Sequence, residues 1–153
     1  MNRAELIIEL KKHFSIEELV CNHVFYTFGE KAWQFFDQQL LETILVLRID
    51  IHGKAMTINN WKKSGPFSQR GLRCNVCQIC RDKTLAKQIY MSAHSNGAAI
   101  DYDVDGLTAE QSRQEVINNA QKLPYRVRLE GKVAWVHLDV YDDINSNEKV
   151  STF

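Results

Sequence analysis

Two short stretches of strict alternation limit what this chain can fold into. From Ala98 to Val104 (AAIDYDV) the residues Ile100, Tyr102 and Val104 fall on one side, and Ala99, Asp101 and Asp103 on the other. From Val133 to Val140 the apolar side carries Val136, Leu138 and Val140, while Trp135, His137 and Asp139 take the opposite side. Each is the pattern of a strand with one face against a core and one face bearing polar groups. A second run, Tyr125 to Leu129, precedes the latter across Glu130-Gly131-Lys132, which predicts a hairpin.

Helical spacing surrounds these strands. Ser15 with Glu18 marks a helix start, with Phe14 able to pack onto Leu19. From Glu30 to about Arg48 the residues Trp33, Phe36, Leu40, Leu41, Ile44 and Leu47 recur as one apolar stripe, a helix or pair of helices that Gly53 stops. Thr108 with Gln111 starts another helix, running to about Lys122 and closed by Pro124. Met56 to Trp61 is a short strand candidate, and Lys62 to Arg73 reads as a long loop. Cys74 to Tyr90 has no clear period, and the polar tail after Asp142 is expected to be loosely ordered. The chain of 153 residues reads as one domain, with N-terminal helices over 1–53 and a strand-bearing core over about 56–140.

Nineteen Lys and Arg balance nineteen Asp and Glu, so no net field draws the chain to nucleic acid. Glu5 and Glu9 interrupt the apolar start MNRAELIIEL, and Glu42 and Arg48 flank the most apolar stretch; neither a signal-peptide core nor a membrane span is expected. Synthesis in the cytosol, as a monomer, is the expectation. In that compartment Cys21, Cys74, Cys77 and Cys80 read as free thiols or metal ligands rather than disulfides. His13, His23 and His52 read as ordinary surface histidines.

His94, Asp101 and His137 are different, because two imidazoles and a carboxylate make a recurrent zinc set with a fourth position left for water. The segments that carry them, Ser92-x-His94-x-x-Gly97-x-Ala99-x-Asp101 and Trp135-x-His137, resemble those of the zinc D-Ala-D-Ala carboxypeptidases and L-alanyl-D-glutamate endopeptidases. That family shares its fold with the Hedgehog amino-terminal domain and includes many phage endolysins. The resemblance covers about Met56 to Val140. It implies an α+β fold, a small antiparallel sheet with helices packed on one face, and Zn2+ held by His94, Asp101 and His137. Gln69 to Arg73 is similar to the family's Ser-Gly-Tyr-Arg segment, which implies that Arg73, or else Arg70, faces the substrate carboxylate or the developing oxyanion. Ser92 and Trp135 are implied as substrate-lining residues, Ser92 alternatively as a structural hydroxyl.

Ala134 stands where many relatives have a glutamate three residues before the last histidine, so the base is expected at Glu130, with Asp139 as the alternative base or as a carboxylate that orients a ligand imidazole. The implied activity is metal-assisted hydrolysis of an amide bond in peptidoglycan stem peptides. Reaching the wall on phage lysis or aboard a virion is the implied setting. The rival readings are a non-catalytic zinc-containing binding or virion structural module of the same fold, and a redox or nucleic-acid protein built on the cysteines. Those cysteines, outside the family signature, offer a second zinc position at Cys74, Cys77 and Cys80 with Cys21 or a histidine as fourth ligand.

Overall fold

Capping chemistry sets where the helices begin. The computed structural model describes residues 1–153. Helix α1 (Arg3–Leu10) starts at Asn2, whose side chain accepts from the Glu5 N–H while Glu5 reaches back to the Asn2 N–H. Helix α2 (Ile16–Leu19) follows Ser15, whose N–H donates to the Glu18 carboxylate, and α3 (Asn22–Phe28) begins directly after Cys21. The stripe predicted over Glu30 to Arg48 is broken in two. A 3-10 segment Gly29–Phe35 ends before α4 (Gln38–Val46), which Asp37 caps, and a π turn Leu47–Ile51 follows. The break is stabilised from outside: the Arg3 guanidinium donates to the carbonyls of Trp33 and Phe36 at 2.9 and 2.8 Å, at the end of the 3-10 segment where carbonyls run short of backbone donors. Helix α5 (Gln78–Leu85) gave no periodic signal because of its helical residues only Cys80 is buried. Helix α6 (Ala109–Asn118) has the reciprocal Thr108–Gln111 cap that its sequence predicts.

Five strands form one sheet in the order β1 (Met56–Thr57), β2 (Ala99–Val104), β4 (Val136–Asp139), β3 (Val127–Leu129) and β5 (Val150–Thr152). The sheet is mixed rather than wholly antiparallel. The first four strands pair antiparallel, but β5 runs parallel to β3, since the chain crosses over after β4 and returns along the open edge of β3. The tail after Asp142 is therefore tied down at its end, with the Phe153 N–H donating to Leu129 and the Gly131 N–H to Phe153. Three residues are too few to print an alternation. The strand expected over Met56 to Trp61 stops after Thr57, because Asn59 and Asn60 turn the chain: Asn59 bonds Val20 and Arg70, and Asn60 bonds Phe67.

The apolar face of β2 meets the helices. Tyr102 is fully buried, and its hydroxyl lies 3.1 Å from His52 Nε2, whose Nδ1 lies 2.6 Å from Glu115 of α6. His52 is thus a buried core group, not the surface histidine expected, since the π turn swings it inward over the sheet. Thirty-two buried apolar residues form one continuous core from Leu6 to Val140. No helix is long and apolar enough to cross a membrane.

Candidate metal centres

The β2–β4 register sets Asp101 directly opposite His137, on the face turned away from Tyr102. His94 comes from the tight turn before β2, where the Gly97 N–H donates to the His94 carbonyl and the Ala98 N–H to Ala93. That turn requires glycine. Gly97 has φ +66°, and a Cβ there would stand 2.2 Å from the Phe35 carbonyl oxygen. Close packing against the 3-10 segment thereby aims His94 at the strand pair.

The donor atoms converge. His94 Nε2 lies 3.3 Å from both His137 Nδ1 and Asp101 Oδ1, and the latter two are 2.8 Å apart. Tetrahedral zinc, with bonds of roughly 2.0–2.1 Å to nitrogen and oxygen, holds such atoms about 3.3 Å apart; the two His94 separations match that spacing, and the His137–Asp101 pair sits closer, at hydrogen-bond distance. Each of these three side chains also has an outer partner. His94 Nδ1 lies 2.9 Å from the Gly71 carbonyl, which fixes the tautomer that leaves Nε2 free to bind a cation. Asp101 Oδ2 accepts from Arg73 Nη2 at 3.2 Å. His137 Nε2 lies 3.2 Å from Asp139, whose two oxygens Arg128 grips at 2.9 and 3.0 Å. Metal-binding histidines are oriented by partners of this kind.

Charges in the cluster reinforce one another. Burial alone would depress the His137 imidazole, but hydrogen bonds to Asp101 and Asp139 and their charges push it up to about 9. Burial opposes ionisation of Asp101, and the two histidines overcome it and hold the carboxyl below its usual range. Asp139 is likewise held down against burial, by His137 and Arg128. A cation bound here competes with the His137 proton.

A cleft of about 240 Å³ opens over the cluster, lined by Arg73, Tyr90, Ser92, Glu130, Trp135 and Phe153. Glu130 is among the lining residues, with its N–H donating to the His137 carbonyl. Ser92 turns inward, its hydroxyl accepting from the His94 N–H at 3.2 Å, so it shapes the ligand turn. Arg73 also reaches the Tyr90 hydroxyl and the Gln69 carbonyl. Arg70 lines the adjoining cleft with Phe67, Arg73, Asp101 and Trp135; its carbonyl accepts from the Asp101 N–H at 2.7 Å, while its guanidinium pairs with Asp103 and stacks 3.5 Å from the Phe67 ring centre. Asp139 is only 1% exposed with both oxygens engaged, so it orients His137 and does not have the open lone pair a base needs. Arg128, Tyr90 and the Gly71 carbonyl are site groups that sequence reasoning missed.

A second cluster lies nearby. Cys21, His23, Cys74 and Cys77 bring their donor atoms within 4.8 Å of one another, a set able to hold a metal ion. The fourth member is His23, not Cys80. The Cys80 sulfur instead faces the Ser95 hydroxyl at 3.5 Å, because α5 carries it one turn past Cys77. His23 is thus no idle surface histidine, and Cys21-x-His23 beside Cys74-x-x-Cys77 was the signal for it. The Cys21–Cys77 contact splits the two thiols, favouring the Cys21 thiolate and pushing the Cys77 thiol up. No protein-family model, curated protein or solved structure matches this chain.

Proposed function

We propose that this chain is a zinc peptidase of the D-Ala-D-Ala carboxypeptidase or L-alanyl-D-glutamate endopeptidase type, which hydrolyses an amide bond in peptidoglycan stem peptides. The observation that carries it is the convergence of His94 Nε2, His137 Nδ1 and Asp101 Oδ1 at 2.8–3.3 Å, each ligand held by an outer partner, beneath a cleft that also contains a carboxylate. An antiparallel β2–β4–β3 centre with helices over its Tyr102 face supports the reading of a Hedgehog-like peptidase fold. A phage-type endolysin is the setting that goes with it.

Zinc bound by the three residues supplies Lewis acidity toward water and a carbonyl oxygen. Glu130 takes a proton from the attacking water and returns it to the departing amine as the C–N bond breaks. Arg73, already paired with Asp101, directs its remaining donors toward the substrate carboxylate or the oxyanion. Trp135 and Phe153 wall the cleft. The Cys21, His23, Cys74 and Cys77 cluster serves as a second, structural metal position.

Ala134, standing in place of the family's glutamate, favours one other reading: a zinc-containing binding or virion structural module without catalysis. Incubation with purified cell walls decides between them. Release of free amino groups that a chelator abolishes and zinc restores is expected; wall binding without release would leave the structural module.

A further inference from the structure

We infer that Cys21, His23, Cys74 and Cys77 form a zinc site that locks Arg73 and the Gly71 carbonyl in place around His94 and Asp101. The donor separations match the ion. Cys21 to Cys74 and Cys74 to Cys77 are 3.8 and 3.9 Å between sulfurs, and His23 Nδ1 lies 3.7 Å from the sulfurs of Cys74 and Cys77. Zinc–sulfur bonds of roughly 2.3 Å in a tetrahedron place sulfurs about 3.8 Å apart, and three thiolates with one imidazole are a recurrent structural zinc set. All four cysteines are free thiols, so no disulfide competes for the donors.

The connection to the other cluster is a run of four residues. Gly71 supplies the carbonyl that faces His94 Nδ1 at 2.9 Å, and Arg73 reaches Asp101. Between them Leu72 is laced to the N-terminal segment: its N–H donates to Leu19 at 2.8 Å, and its carbonyl accepts from Cys21 at 3.0 Å. Cys74 then ligates the second site. The approach is so close that a Cβ on Gly71 would stand 1.9 Å from the Leu19 carbonyl oxygen. Ligation joins Cys21 and His23 to Cys74 and Cys77, so it clamps both ends of the lacing and fixes the outer partners of two active-site ligands. This coupling rests on the reading of His94, Asp101 and His137 as a metal site; the Cys/His site itself does not.

Cobalt substitution of the full chain, purified under reducing conditions, tests both parts. The wild-type protein is expected to take up about two equivalents and to show thiolate-to-cobalt charge-transfer absorption. That absorption should persist in the His94→Ala/His137→Ala variant and in Cys80→Ser. Its absence from the wild-type protein overturns the second site whatever the first one binds, and needs no variant to fold. Charge transfer with only one equivalent leaves the second site standing and removes the first. His23 is exposed, so His23→Ala spares the core. It should lose one equivalent and weaken cobalt binding at His94, Asp101 and His137 about tenfold, the cost of loosening outer partners, with His23→Cys restoring both. Unchanged affinity in His23→Ala overturns the coupling.

Discussion

Asp139 Oδ2 sits 3.2 Å from His137 Nε2, on the side of the ring opposite the nitrogen that faces Asp101. This contact makes the imidazole a better donor and fixes its rotation, and against its burial Asp139 is kept charged by His137 and Arg128 together. Asp139→Asn should therefore keep the fold and weaken zinc binding about 10- to 100-fold in competition with a chromogenic chelator. Equal affinity in the variant and the wild type would show that the contact does not tune His137.

Glu130 is the cleft carboxylate left to move protons. Glu130→Gln preserves shape and hydrogen bonding but removes the base, so zinc content should be unchanged while amide hydrolysis falls about 100- to 10,000-fold. Near-normal turnover with full zinc would assign the proton transfer to another group.

Gly97 tests the link between packing and ligand placement. Gly97→Ala combines a strained positive φ with a Cβ 2.2 Å from the Phe35 carbonyl oxygen, a backbone atom that cannot swing aside. A loss of about 1–3 kcal/mol in urea unfolding is expected. Weaker zinc binding should accompany it, because the same turn carries His94. A variant as stable as the wild type would mean that the turn and the 3-10 segment separate easily.

His52 gives the fold a pH dependence of its own. Burial lowers its pKa below the ordinary 6.5 and outweighs the pull of Glu115, so the folded state prefers the neutral ring. The unfolded chain binds the proton more readily, so this contribution is intact above about pH 6.5 and is lost as pH falls toward the depressed folded value. His52→Gln should flatten that slope when urea midpoints of both proteins are followed from about pH 7 to pH 5 at equal zinc loading. Parallel slopes would mean that His52 does not titrate on unfolding.

Much of the site can be read from the chain, and the reason is physical. Asp101 and His137 lie on strands whose other faces are buried, so period-two alternation places both on the polar side without any knowledge of the fold. What could not be read depends on pairings between distant segments. Arg128 meets Asp139 only because β3 and β4 set them opposite each other. His23, exposed on a short helix, reaches Cys74 and Cys77 only because Leu72 bridges to Val20. The three residues of β5 form a strand by filling a free edge rather than by any pattern of their own.

The facing of Asp101 and His137 across two antiparallel strands also bears on how the protein assembles. A slip of one residue between β2 and β4 would turn the histidine to the helix side and leave the aspartate alone. On the proposed metal-site reading, only chains that find the native alignment can hold the ion, so metal present during refolding should act as a proofreader of strand pairing, drawing off correctly aligned molecules from the misaligned pool.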